Sequence, residues 1–196
     1  MHRYMSLTLF LSIFLTACGH SVPTRYYLLE SSHTPLKCDN LPSKRLRLAE
    51  VTVPEYLDRN GIVSRVQGST EVIVSQFHAW AEPVANGVRR LFQERLGKSL
   101  LAADVNTLAA GDDSPSNYTL YIEIQRLDAD FHADAILEAR WTLRGNRENV
   151  LGTGIYADKE AVTGKTYDEL VAAESSVLCR MADHLSQCLT AALSKN

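Results

Sequence analysis

The sequence predicts a layered α/β domain built on a mixed β-sheet. Three observations predict it. Two long segments repeat apolar residues at three- and four-residue spacings, as amphipathic helices do. Several shorter segments alternate apolar and polar residues, as half-buried strands do. The two kinds are interleaved: two strands, a short helical turn, two strands, a long helix, three strands, a long helix. That order suits helices packed on a sheet, with antiparallel pairing among the last three strands.

Each element has its own signal. Arg25-Tyr26-Tyr27-Leu28-Leu29-Glu30 reads as a first strand. Residues 31–43 hold Pro35 and Pro42 and read as a loop. From Arg45 to Val53, Leu46, Leu48, Val51 and Val53 supply the apolar positions of a second strand. Pro54 and the exit pair Asn60-Gly61 bracket one helical turn. Ile62–Val66 and Glu71–Ser75 are β-branched runs joined through Gln67-Gly68-Ser69-Thr70, a hairpin. Ala81-Glu82-Pro83 opens a helix to about Ala102, with Val84, Val88, Leu91, Phe92 and Leu96 on one stripe. Residues 104–117 read as a loop. Three strands follow, at 118–125, 137–143 and 149–157. The last helix runs from about Tyr167 to Leu193, with Val171, Leu178, Met181, Leu185, Leu189 and Ala192 on its stripe.

The N-terminus carries a different message. Met1-His2-Arg3-Tyr4 is slightly basic, and Met5 to Phe14 is nearly all apolar. Leu15-Thr16-Ala17-Cys18 follows. A basic start, an apolar run and a small-residue cut site make a secretory signal peptide. The run is roughly 10 to 12 residues, short of the roughly 20 that a spanning helix needs. Leu-Thr-Ala-Cys resembles the bacterial lipobox, which implies cleavage between Ala17 and Cys18 and acylation of Cys18. Several acyl chains hold a protein on a membrane stably where one does not. Residues 1–17 are therefore expected to be a cleaved signal peptide. Residues 18–24 would be the lipidated cysteine and a short tether, and residues 25–196 one domain. No Asp follows Cys18, which favours the outer membrane, facing the periplasm, in an enteric-type host.

Composition narrows the function. Without residues 1–17, 19 Lys and Arg face 23 Asp and Glu, a formal charge of −4. That mild acidity argues against nucleic acid as a partner. Three cysteines remain beyond Cys18: Cys38, Cys179 and Cys188. The periplasm is oxidising, so a disulfide fits the compartment. Cys179 and Cys188 are nine apart on a helix, about 900° of rotation, and point to opposite sides. Cys38 can pair with either. Cys188 falls near the apolar stripe and Cys179 on the polar side, which favours Cys38–Cys179.

Several blocks together resemble one family. They are Tyr26-Tyr27-Leu28-Leu29, Val51-Thr52-Val53-Pro54-Glu55-Tyr56-Leu57-Asp58-Arg59 with Ile62-Val63, Trp80-Ala81-Glu82-Pro83, and Ala139-Arg140-Trp141-Thr142-Leu143. In this order they resemble the ABC-type transport auxiliary lipoproteins, the PqiC-like group. The resemblance implies a three-layer α/β/α single domain with a mixed β-sheet. It also implies a non-catalytic subunit without cofactor, working beside an MCE-type lipid-transport protein. Homo-oligomers would be in keeping with such a role. The three cysteines lie outside the family pattern. A domain of this size is roughly 40 Å across, so a tethered chain needs a partner to act across an envelope.

Other motifs have simpler structural roles. Asp128, Asp130, His132 and Asp134 would share one side of an extended chain and could ligate a metal. The alternative is a solvated hairpin end, so no metal is expected. Gly164-Lys165-Thr166 ends like a phosphate loop, but Lys159 stands where the loop needs glycine. No Gly-x-Ser-x-Gly elbow is present, and His78, His132 and His184 are scattered. Tyr56 and Leu57 on the Pro54 turn, and Trp80 before the long helix, are the candidate partner contacts. A lipid carrier with an apolar cavity is the second reading of function, and a metal-dependent hydrolase the third.

Overall fold

The computed structural model describes residues 21–31, 43–66, 68–109, 111–147 and 149–194. The strands are β1 (Arg25–Tyr27), β2 (Lys44–Leu48), β3 (Gly61–Arg65), β4 (Val72–Trp80), β5 (Val105–Thr107), β6 (Tyr118–Ala129), β7 (Asp134–Gly145) and β8 (Val150–Ala161). The helices are α1 (Val84–Leu101) and α2 (Tyr167–Leu193).

All eight strands form one mixed sheet. Strand β6 is its axis. On one side it pairs antiparallel with β7, which pairs antiparallel with β8. On the other side two strands share its length. The N-terminal part of β6 takes β2 in parallel, from Leu46↔Tyr118 to Leu48↔Leu120. Its C-terminal end takes β3 in parallel at Ser64↔Ala129. Between them the chain still follows β6: Ala49 N–H donates to Leu120 O, Thr52 N–H to Ile122 O, and Ile124 N–H to Thr52 O. Pro54 lacks an N–H and cannot continue that ladder. The chain turns there, with the Leu57 N–H on the Pro54 carbonyl, and returns as β3. Strand β5 extends the sheet beyond β2, and β4 and then β1 extend it beyond β3.

The register sets the core. Leu120, Ile122 and Ile124 of β6 stand opposite Leu143, Trp141 and Ala139 of β7. These side chains are buried with Leu46 and Leu48. The stripes of α1 and α2 close over this face, and the two helices pack on each other. The opposite face of β6–β8 exposes Tyr121, Glu123, Glu138 and Arg140. The α/β class and the mixed sheet match the expectation. Along most of β6 and β7 buried side chains alternate with more exposed ones, and both long helices pack on the buried face. No helix of the described residues is long and apolar enough to cross a membrane.

Two features refine the sheet. The register shifts between Ile124 and Arg126, a bulge that keeps Leu127 and Ala129 on the apolar face. Trp141 fits only because β8 carries Gly154 opposite: a Cβ there would lie 2.7 Å from the indole Nε1.

Candidate functional site

The bulge in β6 turns Arg126 and Asp128 to the face away from the helices. There Asp128, only 1% exposed, gathers three donors. Arg126 meets it with Nε at 3.1 Å and Nη2 at 2.9 Å from Oδ1. Arg65 at the end of β3 places Nε 3.3 Å from Oδ2. The Tyr56 hydroxyl donates to the same oxygen at 3.3 Å. Burial, and then the negative charge of Asp128, push the Tyr56 hydroxyl above its ordinary range. The hydrogen bond to Asp128 raises Arg126 in turn. Beside them is a cavity of about 280 Å³ that also touches Asp130, Asp134 and Ile136. Its guanidiniums are already paired with a carboxylate. The arrangement ties the Pro54 turn to β3 and β6.

The other residues singled out from sequence separate. Leu57 is buried in the main core, so its side chain faces inward and Tyr56 above it is half-buried. Trp80 ends β4 half-buried, packed against both apolar clusters. His78 stacks on Tyr167, with ring centroids 4.0 Å apart, and its Nδ1 lies 3.1 Å from the Tyr27 hydroxyl. Burial and the nearby Arg25 push His78 below its ordinary range. Among the described residues no three His, Cys, Asp or Glu side chains converge to hold a metal. The stretch from Asp128 to Asp134 is not extended: residues 130–133 turn between β6 and β7. There Asp130 Oδ1 accepts the His132 N–H, and Asp134 pairs with Lys159 at 2.9 Å.

Cys18, Cys38 and the cleavage point at Ala17 lie outside the described residues. Cys179 is half-buried rather than exposed on a polar face. Burial raises its thiol above the usual range. Its Sγ lies 3.9 Å from the Glu30 carbonyl, eight residues before Cys38 in sequence. Cys188 is also half-buried, with Sγ 3.5 Å from His184 Nε2.

One open surface was not anticipated. Between β1 and α2 runs a groove of about 790 Å³, with Tyr26, Leu28, Val171, Ala172 and Cys179 along it and Arg180 at its rim. Tyr26 is 68% exposed. In sequence Tyr26 and Leu28 read as ordinary strand residues, because periodicity does not show that β1 would be an outer strand of only three residues.

A family model described as an ABC-type transport auxiliary lipoprotein component matches residues 26–186. The chain belongs to that family. Two solved structures are similar to this transport auxiliary lipoprotein. One, an uncharacterized protein, has a TM-score of 0.71 at 17% identity, over 85% of this chain and 99% of its own. The other is a Xanthomonas campestris protein of the DUF330 family, with a TM-score of 0.70 at 16% identity, over 88% and 98%. At these identities they show the fold. No curated protein matches the chain.

Proposed function

We propose that this lipoprotein is a non-catalytic subunit of an ABC-linked envelope transport system, held on the outer membrane by acyl chains on Cys18 and docking an MCE-type partner. The observation that carries the reading is the family match across residues 26–186. Two features support it. The polar groups most nearly resembling a catalytic or metal site, from Asp128 to Asp134, are engaged with Arg65, Arg126, Lys159 and the local backbone. The groove along Tyr26 and Leu28, eight residues beyond Cys18 in sequence, would meet a partner beside the membrane. Tyr56 and Trp80, half-buried, can contribute only their exposed edges to such a contact. Leu57 supports the turn from below.

The test is a pull-down of the tagged full-length protein from detergent-extracted envelopes, with mass spectrometry of the co-purified proteins. Recovery of an MCE-type protein or its permease is expected. Recovery of the chain alone, under mild crosslinking, would contradict the docking role. Stoichiometric phospholipid in that sample would then favour a lipid carrier.

A further inference from the structure

Among the described residues, the hairpin of β3 and β4 carries four exposed large apolar side chains. Val66 is 51% exposed, Ile73 45%, Val74 44% and Phe77 44%. Ile73 and Val74 are neighbours on a strand and point to opposite faces, so both faces of the arm are apolar and open. From Val66 to Phe77 the only charged residue is Glu71. Strand β1 pairs with β4 only from His78 to Trp80. The edge of β4 from Val72 to Phe77 therefore has no strand beside it among the described residues. Such an edge is a liability in water unless something covers it.

The chain itself points to the cover. Strands β1 and β4 are parallel, with Arg25 opposite His78. Thr24 lies with Ser75 and Gln76 around one shallow pocket. Cys18 is seven residues before Arg25, a reach of at most about 25 Å. His78 to Glu71 is also seven residues, about 23 Å along a strand. An acyl group on Cys18 is therefore within reach of the level of the hairpin turn.

We propose that the β3–β4 hairpin seats in the phospholipid leaflet that holds the anchor, with Val66 and Ile73 entering the headgroup–acyl boundary. This rests on the lipid-anchor reading above. The charge of the surface defines the lipid chemistry. Glu71 is acidic, and the adjoining β6–β7 turn carries Asp130 and Asp134. Arg65 at the base of the arm is already paired with Asp128. The contact is therefore apolar insertion between zwitterionic lipids. It does not need anionic headgroups, and salt leaves it unchanged.

The experiment uses the mature lipidated protein, reconstituted in phosphatidylcholine vesicles with brominated acyl chains. Tryptophan is introduced by Val66→Trp, by Ile73→Trp and, on the far sheet edge, by Ile155→Trp. Bromine quenches a tryptophan that reaches the acyl region. Relative to wild type, Val66→Trp and Ile73→Trp are expected to lose severalfold more added fluorescence than Ile155→Trp, with or without high salt. Two hairpin variants guard against one that fails to fold. If the protein floats with the vesicles and both hairpin tryptophans stay as unquenched as Ile155→Trp, the proposal is overturned and the anchor stands. Blue-shifted but unquenched emission would assign the hairpin to a protein contact and also overturn it. If the protein does not float, the anchor reading fails and takes the proposal with it.

Discussion

Two buried carboxyls behave in opposite ways. Asp128 holds Arg65, Arg126 and Tyr56 together. Asp128→Ala would leave Arg65 without its carboxylate and Arg126 with only the longer contact to Glu138. Breaking a fully buried pair costs about 3–5 kcal/mol. Here the Arg side chains are 24% and 30% exposed, so water recovers part of that. A loss of about 2 kcal/mol is expected by urea unfolding, with the Pro54 turn the first region to lose amide protection. Glu174 has no such partners. It sits in α2, fully buried, and its Oε2 has no hydrogen-bond partner among the described residues. Burial, and secondarily Asp128, raise its carboxyl well above the ordinary range. A carboxyl raised in the folded state binds its proton more tightly there than in the unfolded chain. At pH below the unfolded value it contributes nothing. As pH rises past that value the unfolded chain ionises, the folded one does not, and stability falls. Glu174→Met should therefore raise stability at pH 8 by about 1–2 kcal/mol. Near pH 4 the gain should be smaller. A gain independent of pH would mean that the effect is packing alone.

Single elements carry separable contributions. Helix α2 begins with a capping box: the Thr166 hydroxyl accepts the Glu169 N–H, and Glu169 accepts the Thr166 N–H. Thr166→Ala should cost about 1 kcal/mol, read as an earlier thermal midpoint. Gly154→Ala would push a methyl into the Trp141 ring and cost about 1–3 kcal/mol as overpacking. Its diagnostic is a changed tryptophan emission. Periodicity exposed most of these elements. The meander was legible because Leu120, Ile122 and Ile124 alternate with exposed residues, but its ends were not. Strands β6, β7 and β8 extend to Ala129, back to Asp134 and on to Ala161. There polar residues such as Arg126 and Asp128 sit within strands, and the bulge breaks the alternation. Strand β5 was hidden in what reads as a loop, since Val105–Thr107 is too short to show a period. Strand β4 runs to Trp80 rather than Ser75. Gln76 and His78 mask it in sequence.

The same limit governs the surface. Sequence picked Tyr56 and Leu57 because they are apolar beside a proline turn. In the fold that block instead hands the edge of β6 from β2 to β3, which requires Leu57 inside. Tyr26, Leu28 and the hairpin could be recognised only once strand order showed what lay uncovered. Covalent links set the outer bounds of the molecule. Cys179 and Cys188 are about 13.5 Å apart along α2, beyond the ~7 Å that a disulfide spans. Peptide mapping under non-reducing conditions should find Cys38 joined to Cys179, which lies beside Glu30; a Cys38–Cys188 peptide would contradict that pairing. Where the chain acts depends on Cys18. The most direct test replaces it, Cys18→Ser, and follows the full-length protein by envelope fractionation. The account predicts that wild type stays with the membrane and resists salt washing, while Cys18→Ser leaves the membrane fraction. A Cys18→Ser protein that remains in the membrane at wild-type level would contradict the lipid anchor and the membrane-side placement of the hairpin and groove.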